Sequence, residues 1–423
     1  MSTKKLIHKL KSLDGKNKKL IENFLSLNVL QIISYIFPLI TLPYLSRVLG
    51  ADKFGLVFFA YSLGQYFIIF TDFGFLNSAS IEVSINRDNK DKLSDIFSSI
   101  LYLKLILLII SFLIITLIIF NIDKFRIDWM VFYLTFLMVI GNAIFPSWFF
   151  QGIEQMKYIT VLNTLSKLIS LILIFVFIKK TSDYIYMPIL NALGFIVSGI
   201  LGIYIAITKY GVRIKLPNVK DIVHQFKYSL SFALAQLFNT FSTNTNTFFL
   251  GLISSNTIVG YYVAAEKIYY ALFMLSGPIN LTMTPYMAKN RNISLYKKVF
   301  TITTILTVIV ASIMFFFSKE IITIFYGQEM YAAHKLLKLF AILIVVVFYS
   351  MYIGLPLLGA FNYTKQLNLS TIIGAISHIF GLFIIYYLKI LTPANIIICA
   401  ILSTSITLLT RAFFINKYKL LKN

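Results

Sequence analysis

The sequence predicts an all-α polytopic membrane protein with twelve transmembrane helices in two six-helix bundles. Three observations carry this. Hydrophobic residues make up 58% of the 423-residue chain and charged residues 13%, with a mean hydropathy of +0.83. Soluble domains hold roughly 45–50% apolar and about 25% charged residues. The apolar residues fall in runs near the ~20 residues a helix needs to cross a bilayer. The loops between them are short, and basic residues alternate from loop to loop.

In order, the runs are 26–49, 54–81, 96–119, 128–150, 159–178, 185–208, 228–253, 257–287, 298–318, 333–358, 367–387 and 393–415. The longest connection lies between the sixth and the seventh. The expected division is therefore a first bundle at 1–208, a cytoplasmic linker at 209–227 and a second bundle with its tail at 228–423. The N-terminal lysines lead into a run too long for a signal peptide and lacking a small-residue cleavage site. Loops on the N-terminal side carry Arg87, Lys157, Arg213, Lys289 and Lys365 among many cations, and those opposite carry far fewer. This asymmetry puts both termini in the cytoplasm. It also accounts for the formal charge of +22, from 38 Lys+Arg against 16 Asp+Glu, without a nucleic-acid partner.

The single cysteine, Cys399, lies inside an apolar run, so no disulfide can form within the chain. The four histidines are scattered, and no His-Glu motif or glycine-rich phosphate loop is present. The sequence therefore predicts no metal, no cofactor and no catalytic residue.

The most polar stretch inside an apolar run is 236–247. Gln236, Asn239, Thr240, Thr243, Asn246 and Thr247 share one helix face, which Ser242, Asn244 and Thr245 widen. A face this polar at membrane depth should turn from lipid toward a water-filled cavity or other helices. Pro38 and Pro43, with Thr41 between them, free carbonyls in the first span and make a candidate hinge.

Ionisable residues inside spans are rare and expensive. Lys104 lies ~12 Å into the third span at 1.5 Å per residue. Lys167 is about as deep in the fifth span, and Lys267 is near the middle of the eighth, preceded by Glu266. Arg47, Asp72 and Glu82 lie nearer the span ends. Lys335, Lys338 and Arg411 are close enough to an interface to snorkel. The three deep lysines with the polar stretch describe a hydrophilic, net-positive cavity. Such a cavity suits an anion bearing hydroxyl or amide groups. Phosphate pairs with lysine as a point charge, and Asn, Thr and Ser pair with sugar hydroxyls. A weak internal repeat sets Gly55 against Gly260 and Ala60 against Ala265 at one shared offset. It implies two parallel halves around a central site.

The segments PLITLPYLSRVLG (38–50), FG (54–55), DFGFLNS (72–78), FQGIE (150–154), VGYY (259–262) and AEK (265–267) carry a family likeness. In this order and spacing they resemble Wzx-type O-antigen and capsular polysaccharide repeat-unit flippases. That polysaccharide transporter family belongs to the MATE-like multidrug/oligosaccharidyl-lipid/polysaccharide exporter superfamily. The resemblance implies a MATE-like fold in the cell inner membrane. It implies alternating access that moves an undecaprenyl-pyrophosphate-linked oligosaccharide across the membrane for surface polysaccharide biosynthesis. A polysaccharide polymerase and a chain-length regulator would be partners. Arg47, Lys104, Lys167, Lys267, Gln236, Asn239, Thr243 and Asn246 would line the cavity. The family often places an acid where Asn246 stands, so a coupling role would fall to Asp72, Glu82 or Glu266.

Three rivals are weighed against this. A MATE-like cation or drug antiporter should carry acids in its first span, which has none. A peptidoglycan-precursor flippase usually has two more spans. A membrane polysaccharide polymerase or ligase typically presents a large periplasmic loop, and none is evident.

Overall fold

A computed structural model of the chain describes residues 15–274 and 277–421. Among these residues there is no strand. The helices are α1 (Gly15–Asp72), α2 (Phe75–Ile85), α3 (Lys90–Asn121), α4 (Asp123–Ile127), α5 (Trp129–Ile144), α6 (Ser147–Gly152), α7 (Met156–Phe177) and α8 (Tyr186–Tyr210). They continue as α9 (Val219–Ile253), α10 (Asn256–Phe273), α11 (Gly277–Asn290), α12 (Ile293–Phe316), α13 (Ser318–Tyr326), α14 (His334–Ile353), α15 (Thr364–Tyr387) and α16 (Pro393–Lys417). A π-helical segment, Gly354–Gly359, follows α14. Nine helical stretches among the described residues are long and apolar enough to cross a membrane. The first and second expected spans are one helix, α1, with α2 following. The eighth holds α10 and the start of α11.

Local chemistry explains many of the boundaries. Asn89, Ser255, Asn292 and Thr392 each accept a backbone N–H from the first turn of α3, α10, α12 and α16. This satisfies donors that a helix start leaves open. Pro393 opens α16, where its missing N–H has no cost. Inside α1 only Gly50 leaves helical geometry, at φ 68° and ψ 171°. The helix runs on through Pro38 and Pro43. After α1 the chain turns at Phe73 and Gly74, both with positive φ, which interrupts the expected span 54–81.

By packing, the described residues sort into two compact units. The first holds those up to Thr41 together with Ala60–Thr245, and the second holds Leu42–Phe59 and those from Asn246 on. Phe75, Val83, Phe97, Trp148, Phe149 and Phe150 form the centre of the first unit's core. There Gly152 lies against Val83 and Ser80, so the FQGIE segment marks a close approach of α6 to α2. Met287, Tyr296, Tyr352, Leu357 and Leu358 anchor a core cluster in the second.

The repeated glycines meet within the second unit. A Cβ on Gly55 would lie 1.8 Å from the Asn256 carbonyl oxygen and 2.6 Å from the Gly260 nitrogen. One on Gly260 would lie 2.3 Å from the Ala51 carbonyl oxygen. Small residues of this kind let helix backbones approach where apolar burial gives little drive for association. Gly55→Val and Gly260→Val should each lower the melting temperature in detergent and the yield of folded protein. Overpacking typically costs ~1–3 kcal/mol, and these backbone collisions place both variants at the upper end. A thermal unfolding scan of the solubilised protein checks this.

Candidate functional site

In the first unit, the end of α1, the middle of α3 and the polar part of α9 converge on Asp72. Lys104 Nζ lies 3.6 Å from Asp72 Oδ1, and Gln236 Nε2 donates to Asp72 Oδ2 at 3.4 Å. The Lys104 side chain is 4% exposed and that of Asp72 13%. The ammonium also lies 5.9 Å from the centre of the Phe75 ring. Lys104 is thus neutralised inside the unit by an acid from another helix. Removing one member of such a pair is strongly destabilising, because it leaves an uncompensated buried charge.

Two further groups of the first unit stand apart in their partners. Lys167 on α7 donates to the Ser34 hydroxyl of α1, which itself bonds the Leu30 carbonyl. Glu82 accepts from Gln225 Nε2 at 2.6 Å. Tyr66 donates to Thr245 at 3.3 Å, just before the second unit begins.

In the second unit, Asn246 and Thr247 face different neighbours. Thr247 donates to Glu266 Oε2 at 3.4 Å, and Asn246 Oδ1 lies 2.9 Å from His378 Nε2. Lys267 Nζ is 4.0 Å from Glu266 Oε2. It sits over the Phe58 and Tyr270 rings at 5.7 and 5.8 Å and stays 35% exposed. A cation on aromatic faces is held by their quadrupoles while its donors remain free to rotate. Arg47 is exposed and donates to the Ile324 carbonyl at 2.5 Å, next to the Ser46 bond to the Tyr326 carbonyl.

The structure therefore brings Lys104, Asp72 and Gln236 together in one unit, and Asn246, Glu266 and Lys267 into one neighbourhood in the other. Lys167, Glu82 and Arg47 have other partners. The side chains of Asn239, Thr240, Ser242, Thr243 and Asn244 lie outside the described residues. Two residues depart from the sequence reading. Arg411 does not reach out to an interface. Its guanidinium donates to the Ser350 carbonyl and hydroxyl, Ser370 and Thr371, at 2.6–3.1 Å. His378, counted only as one scattered histidine, is 8% exposed and bonded across three helices. Its position within an apolar run was the available signal, the same one that singled out the lysines.

Residues 20–291 match the protein family described as "Polysaccharide biosynthesis protein". The chain belongs to this family. A curated relative from Escherichia coli (strain K12), described as "Putative O-antigen transporter", is 27% identical over 82% of this chain and 85% of its own. One of the same description from Shigella dysenteriae is 25% identical over 86% and 93%. Among solved structures, an inward-facing multidrug resistance MATE family transporter of the MOP superfamily aligns with TM-score 0.68. It is 16% identical and covers 90% of this chain and 95% of its own. The lipid II flippase MurJ in an inward closed conformation aligns with TM-score 0.65 at 15% identity, over 94% and 87%. At these identities the two structures establish the fold: an all-α, MATE-like polytopic membrane protein.

The Asp72–Lys104 pair sets a stability test. Asp72→Leu and Lys104→Met should each cost roughly 3–5 kcal/mol, and the double variant markedly less than their sum. Unfolding of the three variants in detergent, read as a double-mutant cycle, measures this.

Proposed function

We propose that the protein is a flippase for lipid-linked oligosaccharide repeat units in surface polysaccharide biosynthesis, and not an enzyme. It takes an undecaprenyl-pyrophosphate-linked oligosaccharide from the cytoplasmic to the periplasmic leaflet of the inner membrane by alternating access. Twelve spans in two six-helix bundles, with both termini cytoplasmic, are the arrangement this reading carries. Polysaccharide polymerase and chain-length regulator act on the delivered unit. Family membership and the O-antigen transporter relatives support the pathway.

The observation that carries the substrate's charge is Lys267. It keeps a third of its side chain exposed and rests on two rings. An ammonium held this way is a fit partner for a phosphate, with Tyr270 beside it for a sugar face. Asp72, the acid that a cationic drug would need, is already engaged by Lys104 and Gln236. This disfavours a drug antiporter.

In a strain lacking its own flippase and making a compatible repeat unit, the wild-type gene should restore surface polysaccharide. Lys267→Ala should lower it at least tenfold at equal protein level, about 1.4 kcal/mol or more of lost interaction. Lys167→Ala should lower it less, and Lys267→Arg should keep most of it. Polysaccharide gels and immunoblots of the membranes read both quantities. Full activity with Lys267 and Lys167 both replaced by Ala would sink the electrostatic reading.

A further inference from the structure

In the second unit, α12, α15 and α16 are all long and apolar enough to cross a membrane. A cavity of about 410 Å³ lies where the first two begin and the third ends. Arg291 precedes α12, Phe361 and Tyr363 precede α15, and Tyr418 and Leu420 follow α16; these residues line it. Its size falls within the roughly 300–1,000 Å³ of small-molecule sites. The ends of membrane spans lie at the level of the lipid headgroups.

The lining offers hydrogen-bond donors that the unit itself does not use. The Arg291 guanidinium lies 5.3 Å from the centre of the Phe361 ring. A ring engages the cation and takes none of its N–H donors. Among the described residues no carboxylate or carbonyl meets that guanidinium. Tyr363 and Tyr418 stack with centroids 4.2 Å apart. Gln366 Nε2 donates to the Tyr418 hydroxyl at 3.1 Å, which leaves the hydroxyl hydrogen for another acceptor. Lys417 Nζ lies 5.9 Å from the centre of the Tyr418 ring. Arg291 and Lys419 have φ of 48° and 52°, a left-handed backbone in which glycine is the least costly residue. Each position carries a cation instead.

No acid of the unit balances these charges. Lys289, Arg291, Lys297 and Lys298 surround the start of α12, Lys365 lies in the first turn of α15, and Lys417 closes α16. The unit's acids, Asp52, Glu266, Glu320 and Glu329, lie on other segments. Membrane topology alone accounts for basic loops. It does not require that they border a cavity with aromatic walls and unclaimed donors. The outer face of α16 shows what meets this cavity. Leu402, Ile406, Leu409 and Phe413 are exposed and share one side of the helix, and exposed Lys417 continues it. A face suited to acyl chains thus runs directly to a cation beside the cavity.

We propose that this cavity binds the phosphate of an anionic membrane phospholipid. The planar fork of Arg291 takes phosphate oxygens, Lys417 adds a point charge, and the Tyr418 hydroxyl donates. The acyl chains lie along the Leu402–Phe413 face of α16. Basic pockets between membrane spans suit lipid headgroups in this way. One lipid so placed ties the starts of α12 and α15 to the end of α16, and stabilises the folded protein by mass action. The site does not rest on the function proposed above.

The test titrates phosphatidylglycerol into delipidated, full-length protein in a neutral detergent and follows thermal unfolding. The wild type should gain several degrees, saturably, and far less with phosphatidylcholine. Arg291→Gly removes the cation and suits the left-handed backbone, and Arg291→Gln keeps a long polar side chain. Both should weaken phosphatidylglycerol at least about tenfold, and Tyr418→Phe about threefold. Lys335→Ala, at the opposite end of the unit, should leave the affinity unchanged. Equal affinity in the wild type and both Arg291 variants overturns the site. So does an equal loss in Lys335→Ala, which marks diffuse attraction. If millimolar inorganic phosphate reproduces the full gain, the ligand is a soluble phosphate and the lipid assignment falls.

Discussion

An ionised side chain moved from water into a low-dielectric interior carries a penalty of several kcal/mol even after relaxation. The buried polar architecture of this chain follows from that constraint. In the first unit, Lys104 is met by the carboxylate of Asp72, which Gln236 also approaches. In the second, Arg411 is met without any acid, by a carbonyl and three hydroxyls from neighbouring helices. Gly354 allows this approach, since a Cβ there would lie 2.7 Å from the guanidinium. The two solutions differ in what they leave available. A paired charge has little pull left for a ligand, whereas Lys267, on ring faces with its tip partly in the open, keeps some.

Much of the fold was legible because it follows from composition alone. Long apolar runs force helices, since no other open structure satisfies backbone groups in lipid. The breaks were harder to read. Gly50 and Gly74 are glycines among other helical glycines, and what marks them is a positive φ that the string of letters does not display. Gly55 and Gly260 were visible as a repeat, but their mutual contact depends on how α1 and α10 cross.

At the site level, depth could be counted from the sequence, but partners could not. Asp72 and Lys104 were both singled out, yet their pairing joins residues on different helices that no spacing rule connects. Arg411 stood within a turn or two of a span end, which suggested snorkelling. Its acceptors Ser350, Ser370 and Thr371 come from two other helices. The polar face of 236–247 was read as one wall. Gln236 in fact serves Asp72 in the first unit, while Asn246 and Thr247 serve His378 and Glu266 in the second. A shared helix face does not imply a shared environment when the helix crosses from one packed body into another.

Cys399 has a practical bearing on labelling studies of this protein. The one native thiol is buried and donates to the His378 carbonyl beside the imidazole. A cysteine-free background is thus not a neutral starting point. Serine there puts a stronger donor next to the ring, and alanine leaves a gap at the α15–α16 crossing, where Gly381 packs against the sulfur. Burial also shields the thiol from maleimides, so cysteines introduced at exposed positions can be modified selectively with Cys399 left in place.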